Sequence, residues 1–343
     1  MAGTIDKAEI NDDRPTPADD ALPPEVLAPL AGYRGSEPPG PQWFRDAIGQ
    51  APERSFVDSG RGRLEVLSWG EIGKPGLLFV HGNSAHADWW SFIAPFFAED
   101  YRVVAFSTAG MGASDWRDHY AMGDFAPDAQ AVAVATGLLE SGKAPIYIGH
   151  SFGGAQVLYA ATRNPEQMAG AIMVDTGFGP PKAQEARKKL MASVRSNPTA
   201  DRVFRVYPTV AAALARFRLM PPQPVGSPFI ADFIARRSLK PAPLTDGSGE
   251  GWSWRFDPRM WSKLDRTGLM RDPAERPKTD TPMVHIYGAL SLLVARREAG
   301  EPSLFPPHCL EVEIPEAHHH VMIDQPLALV AAIRAVLAGW GSA

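Results

Sequence analysis

KAPIYIGHSFGGAQVLYAATR, residues 143–163, is the stretch whose reading decides the fold. PIYI is a short apolar run that reads as a strand, and GGAQVLYAATR reads as a helix. Between them stands Ser151, with Gly149 two residues before it and Gly153 two residues after. A G-x-S-x-G pattern alone is a weak signal in a glycine-rich chain. The setting is what discriminates. A serine on a sharp strand-to-helix turn presents its hydroxyl above the sheet edge, and it needs small neighbours because helix and strand approach closely there. Gly149, Gly153 and Gly154 supply them. The bland alternative is a turn serine that caps the following helix, and the context favours the nucleophile over it.

Working outward, the same alternation recurs on both sides. RSFVDS and RLEVLSWG flank the turn GRG and read as a β-hairpin. GLLFVHG and RVVAFS are short, continuously apolar strands, the mark of burial on both faces in a parallel sheet. DWWSFIAPFFAE reads as a helix, and so does FAPDAQAVAVATGLLESG, ending at Gly142. GAIMVD is the next strand, ending in Asp175. After Thr176 the texture changes to basic helical pieces (KAQEARKKLMASVR, AAALARFRLM) and to proline- and tryptophan-rich segments (PPQPVGSPF, GWSWRFDPRMW). The pattern then resumes with PMVHIYG, CLEVEIP and the apolar helix PLALVAAIRAVLAGW. Strands alternating with helices predict a doubly wound, mostly parallel sheet of about eight strands. The expected organisation is a proline-rich, partly disordered arm over residues 1–50, a core of 51–176 and 280–343, and a helical cap insertion over 177–279.

Composition narrows the function. The 343-residue chain is 45% hydrophobic and 21% charged, with a net charge of −5, so no basic face for nucleic acid is expected. Cys309 is the only cysteine, which excludes an intrachain disulfide and a thiolate metal cluster. The polar, acidic start lacks the pattern of a secretory signal, and no apolar stretch is long enough to span a bilayer. The expected setting is cytoplasmic, without a membrane. The expected partner is a small-molecule substrate, no cofactor or metal is called for, and a homodimer is left open.

A serine hydroxyl needs a base within hydrogen-bond reach and preset donors for the oxyanion it creates. The strand GLLFVHG runs into HGNSAHADWW, so the backbone N–H of Asn83 is a candidate donor, paired with that of Phe152. For the base, EAHHHVMIDQP stands out, because it follows the strand CLEVEIP and precedes the last helix, at the sheet edge where ligands bind in such folds. Only one of His318, His319 and His320 is expected to face the serine. A metal reading of the three is weaker, since adjacent residues rarely share one ion.

The order of strand with HG loop, G-x-S-x-G turn, insertion and late histidine resembles the α/β-hydrolase family over roughly residues 53–343. The resemblance implies a base a few residues before the proline that opens the last helix. Aligned on Pro326, that position is His319, with His318 second. The family usually carries its acid in a Gly-x-x-Asp pattern after the strand that follows the insertion. Here the stretch is GALS, with Ser291 in the acid's place. Another branch, the dehalogenase-like members, places the acid one strand earlier, and the resemblance then implies Asp175, with Asp324 a weaker candidate. Many relatives also carry an aspartate where this chain has Ser107. The resemblance implies acyl transfer on an ester, lactone, thioester or amide by Ser151, His319 and Asp175. Cleavage of a carbon–carbon bond beside a ketone, as in meta-cleavage product hydrolases, and a non-catalytic ligand-binding protein on the same scaffold stay open. Trp89, Trp90, Trp252 and Trp254 are expected to touch ligand, and the insertion's arginines, Arg202, Arg236 and Arg237 among them, are candidates to meet a substrate carboxylate.

Overall fold

A computed structural model describes residues 22–177, 205–265, 278–294 and 305–341. The basic segment 182–195 and Arg202 lie outside the described residues. Two helices come first, α1 (Pro24–Leu27) and α2 (Gln42–Gly49). The hairpin β1 (Glu53–Asp58) and β2 (Arg63–Trp69) follows, then β3 (Gly76–Val80) and β4 (Arg102–Phe106). A short β5 (Tyr120–Ala121) leads into α3 (Phe125–Ala135), β6 (Ile146–His150), α4 (Phe152–Arg163) and β7 (Gly170–Val174). Residues 205–265 carry the short helices Val210–Leu214, Pro228–Arg237 and Met260–Lys263, the antiparallel pair β8 (Leu239–Pro243) and β9 (Glu250–Trp254), and β10 (Leu264–Asp265), which pairs with β5. β11 (Met283–Gly288), β12 (Leu310–Ile314) and the helix Pro326–Gly339 complete the chain.

Eight strands form one sheet in the order β1-β2-β4-β3-β6-β7-β11-β12. β2 is antiparallel to both its neighbours, and the strands from β4 to β12 run parallel. Alternate side chains of the central strands enter two separate cores, as the two-residue period of a strand requires. Leu77, Phe79, Ile146, Ile148, Ile172 and Val174 join Trp90, Phe92 and the final helix's Leu329 and Ile333 on one face. Leu78, Val80, Tyr147, Ala171 and Met173 join α3 and α4 on the other. Burial on both sides is why these strands are apolar throughout rather than alternating.

Residues 22–50 pack on the rest of the chain: Leu30 and Phe44 are buried, and the Phe44 ring meets Phe229 at 4.8 Å. Two segments differ from expectation. DWWSFIAPFFAE forms two 3-10 turns, Ala87–Trp90 and Ala94–Phe97, instead of one helix. Pro95 has no N–H to extend a ladder, and buried Asp88 is fixed by Arg54 at 2.5 Å and Arg237 at 3.3 Å. Helix α3 stops at Ala135, not Gly142, because the Thr136 hydroxyl bonds the Val132 carbonyl and Gly137 takes φ 75. Among the described residues no helix is long and apolar enough to cross a membrane.

Candidate active site

Ser151 lies between β6 and α4 with φ 53 and ψ −114, a left-handed turn that costs a non-glycine residue strain. The turn closes because Gly153 lacks a side chain, since a Cβ there would run into the carbonyls of Val80 and His81. The Ser151 N–H donates to the Val174 carbonyl at 2.9 Å, which ties the turn to the end of β7 and to Asp175 one residue on.

The β3–β6 register pairs Val80 with Gly149. The contact is close: a Cβ on Gly82 would lie 3.3 Å from the Ser151 Cβ. Phe152 opens the twelve-residue helix α4, whose first N–H groups have no intrahelical acceptor and carry the positive end of the helix dipole. Negative charge forming beside Ser151 therefore meets donors rather than carbonyls. The Asn83 Oδ1 is itself buried without a protein partner among the described residues.

Three imidazoles crowd the same edge. The His319 ring is 4.8 Å from His150, which precedes the serine, and 4.8 Å from His320. The His319 Nδ1 donates to Asp175 Oδ1 at 2.7 Å. That bond puts the proton on Nδ1 and leaves Nε2 as an acceptor. Asp175 is fully buried, with φ 45, and its other oxygen accepts the Gly288 N–H at 2.9 Å. His150 donates from Nε2 to the His319 carbonyl at 3.0 Å. Burial, and then the proximity of His319, push the His150 and His320 rings well below the usual imidazole range, so both stay neutral. His81 is pushed down to about 3 by burial, against a smaller opposing effect of its bond to the Gly82 carbonyl. Its Nε2 accepts the Thr108 N–H at 3.0 Å, a structural role at the end of β3.

The second histidine–carboxylate pair is separate. His318 Nδ1 donates to Asp324 Oδ2 at 3.0 Å, and its side chain is 28% exposed. Asp324 thus partners His318, and Asp175 partners His319. Ser291, in the place where the acid was missed, donates its hydroxyl to Asp175 Oδ1 at 2.7 Å. The Ser107 hydroxyl donates to Glu65 of β2 at 2.7 Å. Among the described residues no group of three His, Cys, Asp or Glu side chains is arranged to hold a metal ion.

The tryptophans divide. Trp89 is almost fully buried, with its ring 5.5 Å from His320 and its indole Nε1 without a partner among the described residues. Trp90 is a core residue instead, fully buried and 4.9 Å from Phe79. Trp252 and Trp254 lie on β9, where the Trp252 backbone pairs with Tyr207 and the Trp254 ring packs on Tyr207 and Phe217. They pack the intervening segment. Arg236 and Arg237 are similarly engaged within the chain, by Asp232 and Asp88. A cavity of about 30 Å³ beside the serine turn is lined by Phe152, Gln156, Tyr120, Met260 and Leu264. A groove of about 930 Å³ between β1 and α3 contains none of the candidate residues.

Two features of the site had no signal in the sequence: the hydroxyl of Ser291 on Asp175, and Gln223, whose side chain bonds His320. His150 was legible only as a member of the turn.

A parallel sheet, a strained serine between β6 and α4, and a histidine–aspartate pair at its carboxyl edge define an α/β-hydrolase. The Alpha/beta hydrolase family model matches residues 77–333, and the chain belongs to that family. It is 27% identical over 292 residues to the esterase Rv0045c of Mycobacterium tuberculosis, covering 84% of this chain and 90% of the relative. It is 27% identical to the 2-(acetamidomethylene)succinate hydrolase of Mesorhizobium japonicum, covering 81% and 92%. A solved E-2-(acetamidomethylene)succinate hydrolase shares the fold with a TM-score of 0.65 at 24% identity, covering 82% of this chain and 97% of that one. The protein is a hydrolase enzyme.

Proposed function

We propose that this hydrolase cleaves a small, fairly apolar carboxylic ester, lactone or amide through an acyl-enzyme, with Ser151 as nucleophile, His319 as base and Asp175 as orienting acid. The observation that carries the reading is the 2.7 Å bond from His319 Nδ1 to buried Asp175 beside the serine turn. His319 Nε2 takes the Ser151 proton as Oγ bonds the substrate carbonyl carbon, and the oxyanion is met by the N–H groups of Asn83 and Phe152. The intermediate collapses as the bond to the leaving oxygen or nitrogen breaks, and His319 returns the proton to that atom. Water then attacks the acyl-enzyme with His319 again as base, releasing acid and free Ser151. The cycle closes without a cofactor. The Asp175 carboxylate, bonded to His319 Nδ1, stabilises the imidazolium that forms on His319.

Trp89, on the loop that carries Asn83 and against His320, is the aromatic residue we assign to the substrate, and residues 177–279 act as a cap. The esterase relative supports an ester over a carbon–carbon bond. The test is hydrolysis of short p-nitrophenyl esters and fluorophosphonate labelling by the native chain and by Ser151→Ala. A native, folded chain that neither hydrolyses nor labels defeats the reading.

A further inference from the structure

We infer that Gln223 is a positioning residue for the base, and that it couples docking of the intervening segment to the placement of His319; the inference rests on the reading of His319 as base. Gln223 lies in MPPQPVGS, residues 220–227, where Pro221, Pro222 and Pro224 restrict the backbone and leave few alternative paths for the side chain. It is 4% exposed. Its Oε1 accepts two hydrogen bonds from His320, one from the backbone N–H at 2.9 Å and one from the ring Nδ1 at 2.7 Å. Its Nε2 donates to Asp324 Oδ2 at 3.1 Å. That oxygen also accepts the His318 N–H at 2.8 Å and the His318 ring at 3.0 Å.

One amide therefore holds the residues on both sides of His319: His320 directly and His318 through Asp324. The His319 carbonyl is held from the opposite side by His150 of the serine turn. The base is clamped between the turn that carries the nucleophile and a segment remote in sequence.

The bonds also fix the chemistry of the neighbour. Acceptance from Nδ1 sets the His320 proton there, and burial keeps the ring neutral. A neutral His320 lets His319 take up the serine's proton without a like charge 4.8 Å away. Only an amide meets the demand at this position, since it accepts twice from His320 and donates to a carboxylate. An apolar side chain of the same length would strip buried partners from His320 and Asp324. Displacement of this segment from the core would break the same bonds, so the base is correctly placed only when the segment is docked.

The experiment combines proton NMR with kinetics on the full chain. The His319 N–H bound to Asp175 gives a downfield imidazole signal, identified by its loss in His319→Gln. Gln223→Met is expected to shift or broaden that signal. The same change should lower kcat on a short p-nitrophenyl ester about ten- to a hundredfold with KM altered less than about threefold. Gln223→Glu keeps acceptors for His320 but lacks the donor to Asp324 and sets two carboxylates against each other, so at pH 8 it should leave both the signal and kcat impaired. An unchanged signal with full kcat in folded Gln223→Met overturns the inference, and so does a native signal with native kcat in Gln223→Glu. Should Gln223→Met not fold, Gln223→Asn, one methylene too short to reach His320, takes its place with the same expected and overturning results. The NMR arm does not need turnover: a native chain that is inactive but shows the Gln223-dependent signal defeats the serine-hydrolase reading and leaves the clamp standing.

Discussion

Ser291 donates its hydroxyl to the oxygen of Asp175 that also accepts the His319 ring proton, both at 2.7 Å. Ser291, where the family resemblance implies an acid, is instead a hydrogen-bond partner of the buried Asp175 carboxylate. The main-chain N–H of Gly288, three residues before Ser291, holds the other oxygen. The end of β11 thus orients a carboxylate delivered by β7, and the two neighbouring strands share one task.

If Asp175 orients the base, Asp175→Asn should lower kcat about 10³- to 10⁴-fold with the fold intact, as loss of the required tautomer does elsewhere. Ser291→Ala, which removes one supporting hydrogen bond, should cost about tenfold. Steady-state kinetics on a p-nitrophenyl ester measures both. Equal losses for Asp324→Asn and Asp175→Asn would show that the acid has been misassigned.

Close approach at Gly82 makes a second prediction. A Cβ there would come within 2.8 Å of the His150 Nδ1 and 3.3 Å of the Ser151 Cβ. Gly82→Ala must push the loop carrying Asn83 away from the serine turn. An expected fall in kcat/KM of about a hundredfold follows from an ångström-scale displacement, with the circular dichroism spectrum retained. Native activity in this variant would place the oxyanion donors elsewhere.

Backbone strain at Ser151 is measurable as stability. With φ 53, a glycine fits the turn better than any L-residue with a side chain. Urea unfolding should find Ser151→Gly more stable than Ser151→Ala by about 1 kcal/mol, although both are inactive. The reverse order would mean that the turn relaxes when the hydroxyl is lost.

The buried imidazoles set the acid limit. His81 is pushed down to about 3 in the folded chain, from an ordinary value near 6.5. Between those values the unfolded chain binds a proton that the folded one does not. Stability is therefore fully present above about pH 6.5 and declines as pH falls towards 3, by about 2 kcal/mol from this ring alone between pH 6.5 and 5. His86, His150 and His320 shift in the same direction through burial and add to the decline. Urea unfolding at pH 7.5 and pH 5 tests the sign, and His81→Gln should flatten the slope by its share. Stability that rises on acidification would contradict the burial of these rings.

The strands β3, β4, β6 and β7 were legible because each is buried at every position and apolar but for Arg102 and His150 at strand ends, as burial on both faces demands. DWWSFIAPFFAE misled for a related reason. Its apolar residues are spaced as in a helix, yet nearly all are buried, so tertiary packing around Pro95 and the Asp88 ion pairs decided the backbone. Trp90 misled in the same way, since nothing local separates a tryptophan that fills the core from Trp89, which lies against His320.

Read alone, the chain determined the order along the sequence of the main sheet's strands and the turn that carries Ser151, because hydrophobic periodicity and glycine placement act over a few neighbouring residues. Tertiary structure decided which carboxylate meets which imidazole, Asp175 with His319 and Asp324 with His318, and it placed Ser291 and Gln223 around them. Those pairings join residues up to 144 positions apart. They depend on the angles at which strands leave the sheet, which local sequence periodicity does not record.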